Sequence, residues 1–266
     1  MPALPPIFVS HGAPTLALAP GDTGAALRRA ADAMAKPRAI VVASAHWETH
    51  GPLVSAADRP ETIHDFYGFP EPLYRIRYPA PGDPALAEHV RGLLTDAGLP
   101  AALDAQRGLD HGVWVPLMIM YPEADVPVVQ LSLQTALGPA HHERIGRALA
   151  SLREEGVLVV GSGSATHDLR GFRAHARDAA PERYAADFDA WLDARLAAGD
   201  RSALLDYRSR APQAARNHPT EEHLLPLFVA LGAAGEGAGA RRLHAAIEYG
   251  VLSMGAWAFD GAPTAH

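Results

Sequence analysis

Four short apolar runs, spaced along the chain and separated by stretches with helical patterning, limit what it can build: Ile7-Phe8-Val9, Ala39-Ile40-Val41-Val42-Ala43, Val126-Pro127-Val128-Val129-Gln130-Leu131 and Gly156-Val157-Leu158-Val159-Val160. Strands alternating with helices form a layered α/β sheet, and strands covered by helices are buried on both faces. The expected fold is therefore α/β, with a central, mostly parallel or mixed sheet flanked by helices and an active site at the carboxyl ends of its strands. Helices are expected over about Thr23–Ala35, Pro84–Ala97, Pro139–Glu154, Pro181–Ala198 and Thr220–Leu231, with Pro84, Pro139 and Pro181 suited to opening turns. The run from Ala233 to Ala240 is glycine-rich and reads as a surface loop before a terminal strand near Ala245–Phe259. The span Gly51 to Pro84 holds seven prolines and reads as a long ordered loop, a kind of segment that often carries function. No internal repeat or linker divides the 266 residues, so residues 1–266 are expected to form a single catalytic domain.

A formal charge of −7 and no basic patch point away from nucleic acid and anionic membranes as partners. The start, Met1-Pro2-Ala3-Leu4-Pro5-Pro6-Ile7, lacks a basic segment followed by an apolar run, and no stretch is apolar enough to span a bilayer. A cytoplasmic protein is expected. The chain has no cysteine, which excludes disulfides, thiolate nucleophiles and iron–sulfur clusters and leaves any metal to His, Asp, Glu or backbone.

Fourteen histidines stand beside only 23 Lys and Arg, and three of them follow directly on apolar strands. His11 follows Ile7–Ser10, His46 follows Val41–Ala45, and His167 follows Val159–Thr166. In a parallel α/β sheet the crevice beyond the carboxyl ends of the strands is where ligands bind, so separate segments deliver imidazoles to one edge. The intervening Gly, Ser, Ala and Thr residues let backbone approach a ligand closely. Taken singly, each histidine reads as a hydrogen-bonded strand end; three at equivalent positions indicate a shared metal site, a hydrolase's as readily as an oxygenase's.

Ordered motifs through nearly the whole chain resemble the class III extradiol ring-cleavage dioxygenases, above all the 4,5-DOPA dioxygenase extradiol type. They are Ser10-His11-Gly12-Ala13-Pro14, Ser44-Ala45-His46-Trp47, Thr62 to Pro70, Tyr78-Pro79-Ala80-Pro81-Gly82, Leu109-Asp110-His111-Gly112-Val113-Trp114, Met120-Tyr121-Pro122, Gln130-Leu131-Ser132 and Pro219 to Leu227. The resemblance implies that His11, His46 and His223 hold a metal, and that His111 and His167 serve acid–base and oxygen-handling roles. Many class III enzymes place a glutamate where His223 stands, and Glu221 and Glu222 precede it here. Residues adjacent on a helix point about 100° apart, so only one of Glu222 and His223 faces the metal; with the glutamates favoured at a helix start, His223 is the expected ligand.

These readings imply an iron(II) enzyme that opens a catechol-type ring with O2, the substrate being DOPA or a related catechol. His167 is the expected base, and zinc(II) in the same site is expected to recruit His167 as a fourth ligand. His64, Phe66 and Tyr67 are candidates to wall the aromatic substrate, as is Phe69 in the same aromatic-rich loop. A zinc-dependent hydrolase and a non-catalytic metal-binding relative are the alternative readings, the second disfavoured by the presence of both His111 and His167. His50, His89, His141, His142, His175, His218, His244 and His266 lie in polar or irregular contexts and are expected at the surface.

Overall fold

The computed structural model describes residues 3–260. Its strands are β1 (Ile7–Ser10), β2 (Ala39–Glu48), β3 (Leu53–Ser55), β4 (Ala102–Asp104), β5 (Val128–Leu133), β6 (Val157–Gly163), β7 (Gly239–His244), β8 (Ile247–Glu248), β9 (Leu252–Ser253) and β10 (Ala256–Asp260). Eight of them form one sheet in the order β4-β3-β5-β2-β6-β1-β10-β7, while β8 and β9 make a small hairpin. The central β5, β2, β6 and β1 run parallel; β10 pairs antiparallel with β1 and β7, and β3 antiparallel with β5. The sheet is thus mixed, and the carboxyl ends of β2, β6 and β1 lie side by side.

Alternation along these strands sends side chains to two cores. Val41, Ala43, Val157 and Val159 pack on one face, where the wholly buried helix Leu225–Ala233 lies. Ile40, Val42, Leu158 and Val160 pack on the other, against the helix His111–Met120.

Four expected helices are present, as Gly21–Asp32, Pro84–Asp96, Gly138–Ala148 and Arg183–Ala197; the third ends six residues before the expected Glu154, and a separate 3-10 turn, Ala150–Arg153, follows it. The fifth differs. Instead of starting at Thr220, it starts at Leu225, because Pro226 fills the first turn where its missing N–H is harmless; residues 219–224 are turns. The helix His111–Met120 was not foreseen, since it is apolar nearly all round and shows no amphipathic period. The expected terminal strand is broken at Tyr249 and Gly250, both in the left-handed region with φ of 52° and 65°. Strand β7 starts at Gly239, inside the stretch read as a loop.

Two histidines expected at the surface are buried: His142, whose Nδ1 lies 2.7 Å from the Gly138 carbonyl, and His218, whose Nε2 lies 2.9 Å from that of Ala165. His266 lies outside the described residues. Burial pushes His142 down to about 4 and His218 down to about 3, from an ordinary value of 6.5. With folded values below unfolded ones, the unfolded chain takes up protons first as pH falls, so the stabilisation present above about pH 6.5 is lost on acidification. Urea midpoints should fall steadily from pH about 6.5 towards 4, each histidine contributing up to roughly 1.4 kcal/mol per pH unit. Midpoints unchanged over that window would contradict the assignment.

Candidate metal centre

The site is assembled by two close approaches at the carboxyl edge of the sheet. A Cβ on Gly163, the last residue of β6, would sit 2.0 Å from the His223 carbonyl oxygen, a distance no side chain tolerates, so glycine lets the turn carrying His223 lie on the strand end. The Ser164 amide then donates to that carbonyl at 2.8 Å. At Gly112 a Cβ would meet Ser44 Oγ at 2.7 Å and His46 Cδ2 at 2.9 Å, which seats the start of the buried helix against β2.

Hydrogen bonds then orient the outer nitrogens of His11 and His223, and a carboxylate stands near that of His46. Pro116 has no N–H to give the Gly112 carbonyl one turn earlier, and Ser162 Oγ donates to that carbonyl instead. A hydroxyl has one proton, so Ser162 Oγ accepts from His11 Nδ1 at 3.0 Å, leaving the Nε2 lone pair of His11 to face the site. His223 Nδ1 donates to Glu222 Oε1 at 2.9 Å, and its Nε2 is likewise the free ring nitrogen. His46 Nδ1 lies 3.6 Å from Asp65 Oδ2, while its Nε2 lies 3.0 Å from His11 Nε2.

Ligand atoms of His11, His46 and His223 all fall within 4.8 Å of one another. Burial, reinforced by the neighbouring imidazoles, holds His11 and His223 well below the usual histidine range, and burial with the His111 ring brings His46 to about 3. Converging nitrogen lone pairs repel one another unless a proton or a cation lies between them. Carboxylate and hydroxyl partners on the outer nitrogens are the usual support of a histidine metal site. The donor set fits one divalent metal ion.

Glu222 and His223 lie in the turn before the helix, where Glu222 Oε1 accepts from His223 Nδ1.

The remaining histidines surround this triplet. His167 stacks on His223 with ring centroids 3.4 Å apart, and its ligand atom groups with those of Glu222 and His223 rather than with the three-histidine set. Burial, aided by His46 and His111, lowers it to about 4, so it is neutral at pH 7. His111 packs 4.0 Å from His46, centroid to centroid. Asp65 grips His111 twice, accepting from its backbone N–H and from Nδ1, both at 2.9 Å. Burial raises the Asp65 carboxyl, but the bonds and charge of His111 outweigh it and hold it at about 2. Beneath lies the fully buried Asp110, which accepts from Ser44 Oγ at 2.7 Å, from Arg107 at 2.8 Å and from Gln130 Nε2; Arg107 also donates to the His46 carbonyl at 3.2 Å.

All five expected histidines, His11, His46, His111, His167 and His223, line one cavity of about 300 Å³. Of His64, Phe66 and Tyr67, only Phe66 lines it, with its ring edge-on to His111. His64 sits behind Phe66, its Nε2 3.1 Å from the Ile76 carbonyl, and Tyr67 is 87% exposed. Phe69, in the same aromatic-rich loop and also a candidate from the sequence, lines the cavity too; sequence reasoning passed over the wall residues Leu169, Phe172 and Leu252 and the supports Asp65 and Ser162. Asp65 stands within the motif Thr62 to Pro70, and Ser162 within Gly161-Ser162-Gly163, so both signals were present as small polar residues beside the histidines.

Imidazoles from a strand, a helix start and loops converge at the carboxyl edge of a mixed α/β sheet and open onto a largely apolar cavity, the arrangement of a candidate metal-dependent enzyme site. Residues 7–255 match the family model described as the catalytic LigB subunit of aromatic ring-opening dioxygenase, and the chain belongs to that family. A 4,5-DOPA dioxygenase extradiol of Beta vulgaris is 46% identical over 256 residues, covering 95% of each chain. One from Escherichia coli (strain K12) is 42% identical, covering 86% of this chain and 85% of the relative. The crystal structure of an uncharacterized protein from Escherichia coli K12 superposes with a TM-score of 0.79 at 35% identity, over 96% of this chain and 99% of that one. The chain is thus an extradiol ring-cleaving dioxygenase. Among the described residues no helix is long and apolar enough to cross a membrane.

Proposed function

We propose that the chain is an iron(II)-dependent dioxygenase that opens a catechol ring beside its two hydroxyls and inserts both atoms of O2. The observation that carries this reading is the convergence of His11, His46 and His223 within 4.8 Å, with two further histidines facing the same cavity. An iron(II) ion held by these imidazoles would supply sites for catechol and O2 and would acidify the hydroxyls it bound.

His11, His46 and His223 would hold the ion, with Ser162 and Glu222 hydrogen-bonded to the outward nitrogens of His11 and His223 and Asp65 3.6 Å from that of His46. The neutral His167 takes the hydroxyl proton at its ring nitrogen. His111 faces the oxygen side. With Nδ1 donating to Asp65, it presents Nε2 to the cavity. Phe66, Phe69 and Phe172 wall the aromatic ring and exclude water.

Zinc fits the same three nitrogens, and His167 next to His223 is the fourth ligand that closed tetrahedral coordination would recruit. A hydrolase is separated from a dioxygenase by oxygen. Protein reconstituted anaerobically with iron(II) should consume O2 on addition of a catechol and form a yellow ring-opened product. Zinc-loaded protein should do neither. Turnover of the catechol under argon would reject the reading.

A further inference from the structure

A sixth imidazole lies buried behind the metal centre without lining its cavity. His218 is fully buried between Phe188 and Tyr207, with ring centroids 5.3 Å and 6.0 Å away. Its Nε2 lies 2.9 Å from the Ala165 carbonyl, which can only accept, so that nitrogen carries the proton and donates. Its Nδ1 is buried with no partner, which leaves the bond to Ala165 as the one polar contact of the side chain among the described residues. Burying an imidazole for a single hydrogen bond is less favourable than burying a Leu or Phe in the same place, so packing alone does not account for this side chain. Ala165 stands two residues before His167. The His167 ring makes no hydrogen bond among the described residues and rests on His223 by stacking, so its own backbone sets where it stands. Three hydrogen bonds join that backbone to segment 217–223: the His167 amide donates to the Asn217 carbonyl at 2.7 Å, His218 Nε2 to the Ala165 carbonyl, and the Ser164 amide to the His223 carbonyl at 2.8 Å. Of the three, only the bond from His218 is made by a side chain. The segment is anchored in turn, since Arg208 donates to the His218 carbonyl and Asn217 Nδ2 donates to the Tyr184 and Gln213 carbonyls at 3.2 Å and 3.1 Å.

We propose that His218 is a positioning residue: by tying the Ala165 carbonyl to the segment that carries His223, it fixes where His167 stands relative to the nitrogens of His11, His46 and His223. It is absent from the cavity lining and acts through His167. The effect on turnover rests on the dioxygenase reading, in which His167 takes the hydroxyl proton; the effect on the loop does not.

The test compares His218→Phe, which keeps an aromatic ring and removes the N–H, with His218→Gln, which keeps a donor near the place of Nε2. His218→Leu removes the same N–H with a smaller side chain and serves if the Phe variant does not fold. In amide hydrogen exchange, His218→Phe should speed exchange of residues 164–167 by roughly three- to tenfold, the equivalent of one lost hydrogen bond, while the helix Leu225–Ala233 exchanges as in the wild type. His218→Gln should restore the protection. On iron-loaded protein with saturating catechol, His218→Phe should lower kcat by about 10- to 100-fold, the scale of a misplaced catalytic group, with iron content and KM close to the wild type. His218→Gln should recover most of that loss. In a His167→Ala background His218→Phe should lower kcat no further, the non-additivity of a residue that acts only through that ring. Unchanged exchange at 164–167 in a folded His218→Phe or His218→Leu protein would overturn the proposal, as would an equal loss of kcat with and without His167. Wild-type protein that opens no catechol would count against the dioxygenase reading instead, and the exchange comparison would still decide whether His218 holds the loop.

Discussion

His46→Ala should remove iron from the protein and with it all ring-opening activity. His46 Nε2 lies 3.0 Å from His11 Nε2, and its far nitrogen is backed by Asp65, so no other side chain replaces that nitrogen where the three rings meet. The nearest remaining imidazole, His111, has Nδ1 held by Asp65 and is fixed in place by a second bond from its own backbone. The loss should therefore exceed the roughly 10–100-fold in metal affinity that follows removal of an outer-shell partner, which Glu222→Gln would produce through His223. The measurement is iron per protein after anaerobic reconstitution and desalting, with folding checked by circular dichroism. Near-full iron in a folded His46→Ala protein would remove His46 from the ligand set.

His167→Ala should do the opposite, keeping iron while reducing turnover by about 10²–10⁴-fold, the range for loss of a positioned general base. Three ligands are supplied without it, and its ring stacks on His223 at 3.4 Å rather than joining the triplet of His11, His46 and His223. His111→Ala should also keep iron, with the greater effect on reaction with O2 than on catechol binding. Iron content plotted against activity thus divides the histidines into two groups. If His167→Ala loses iron as badly as His46→Ala, then His167 is a working ligand and the proton must go to His111.

The histidine edge was legible in the sequence because three strand runs end in small residues followed by His, and the sheet order brings β2, β6 and β1 together. What could not be read was the support. Which hydroxyl or carboxylate backs each ring depends on contacts between distant segments: Ser162 turns to His11 only because Pro116 leaves the Gly112 carbonyl unpaired. The buried helix His111–Met120 carries no polar face, so periodicity could not reveal it. His142 and His218 stand among polar neighbours in sequence, yet the Gln134 amide and the Ala165 carbonyl meet them in the interior. Tyr67 failed as a wall residue for the complementary reason, since side chains adjacent in an irregular loop point in unrelated directions, and Phe66 and Phe69 turn inward while Tyr67 points to solvent.

The central claim, that three imidazoles hold an iron(II) ion which directs both atoms of O2 into an opened catechol ring, is tested most directly by oxygen-18. Iron-loaded protein turning over a catechol under labelled O2 should yield a ring-opened product carrying two labelled atoms when it is trapped before exchange with water, and His46→Ala protein should yield none. A product labelled from water instead, or formed equally by zinc-loaded protein, would contradict the account.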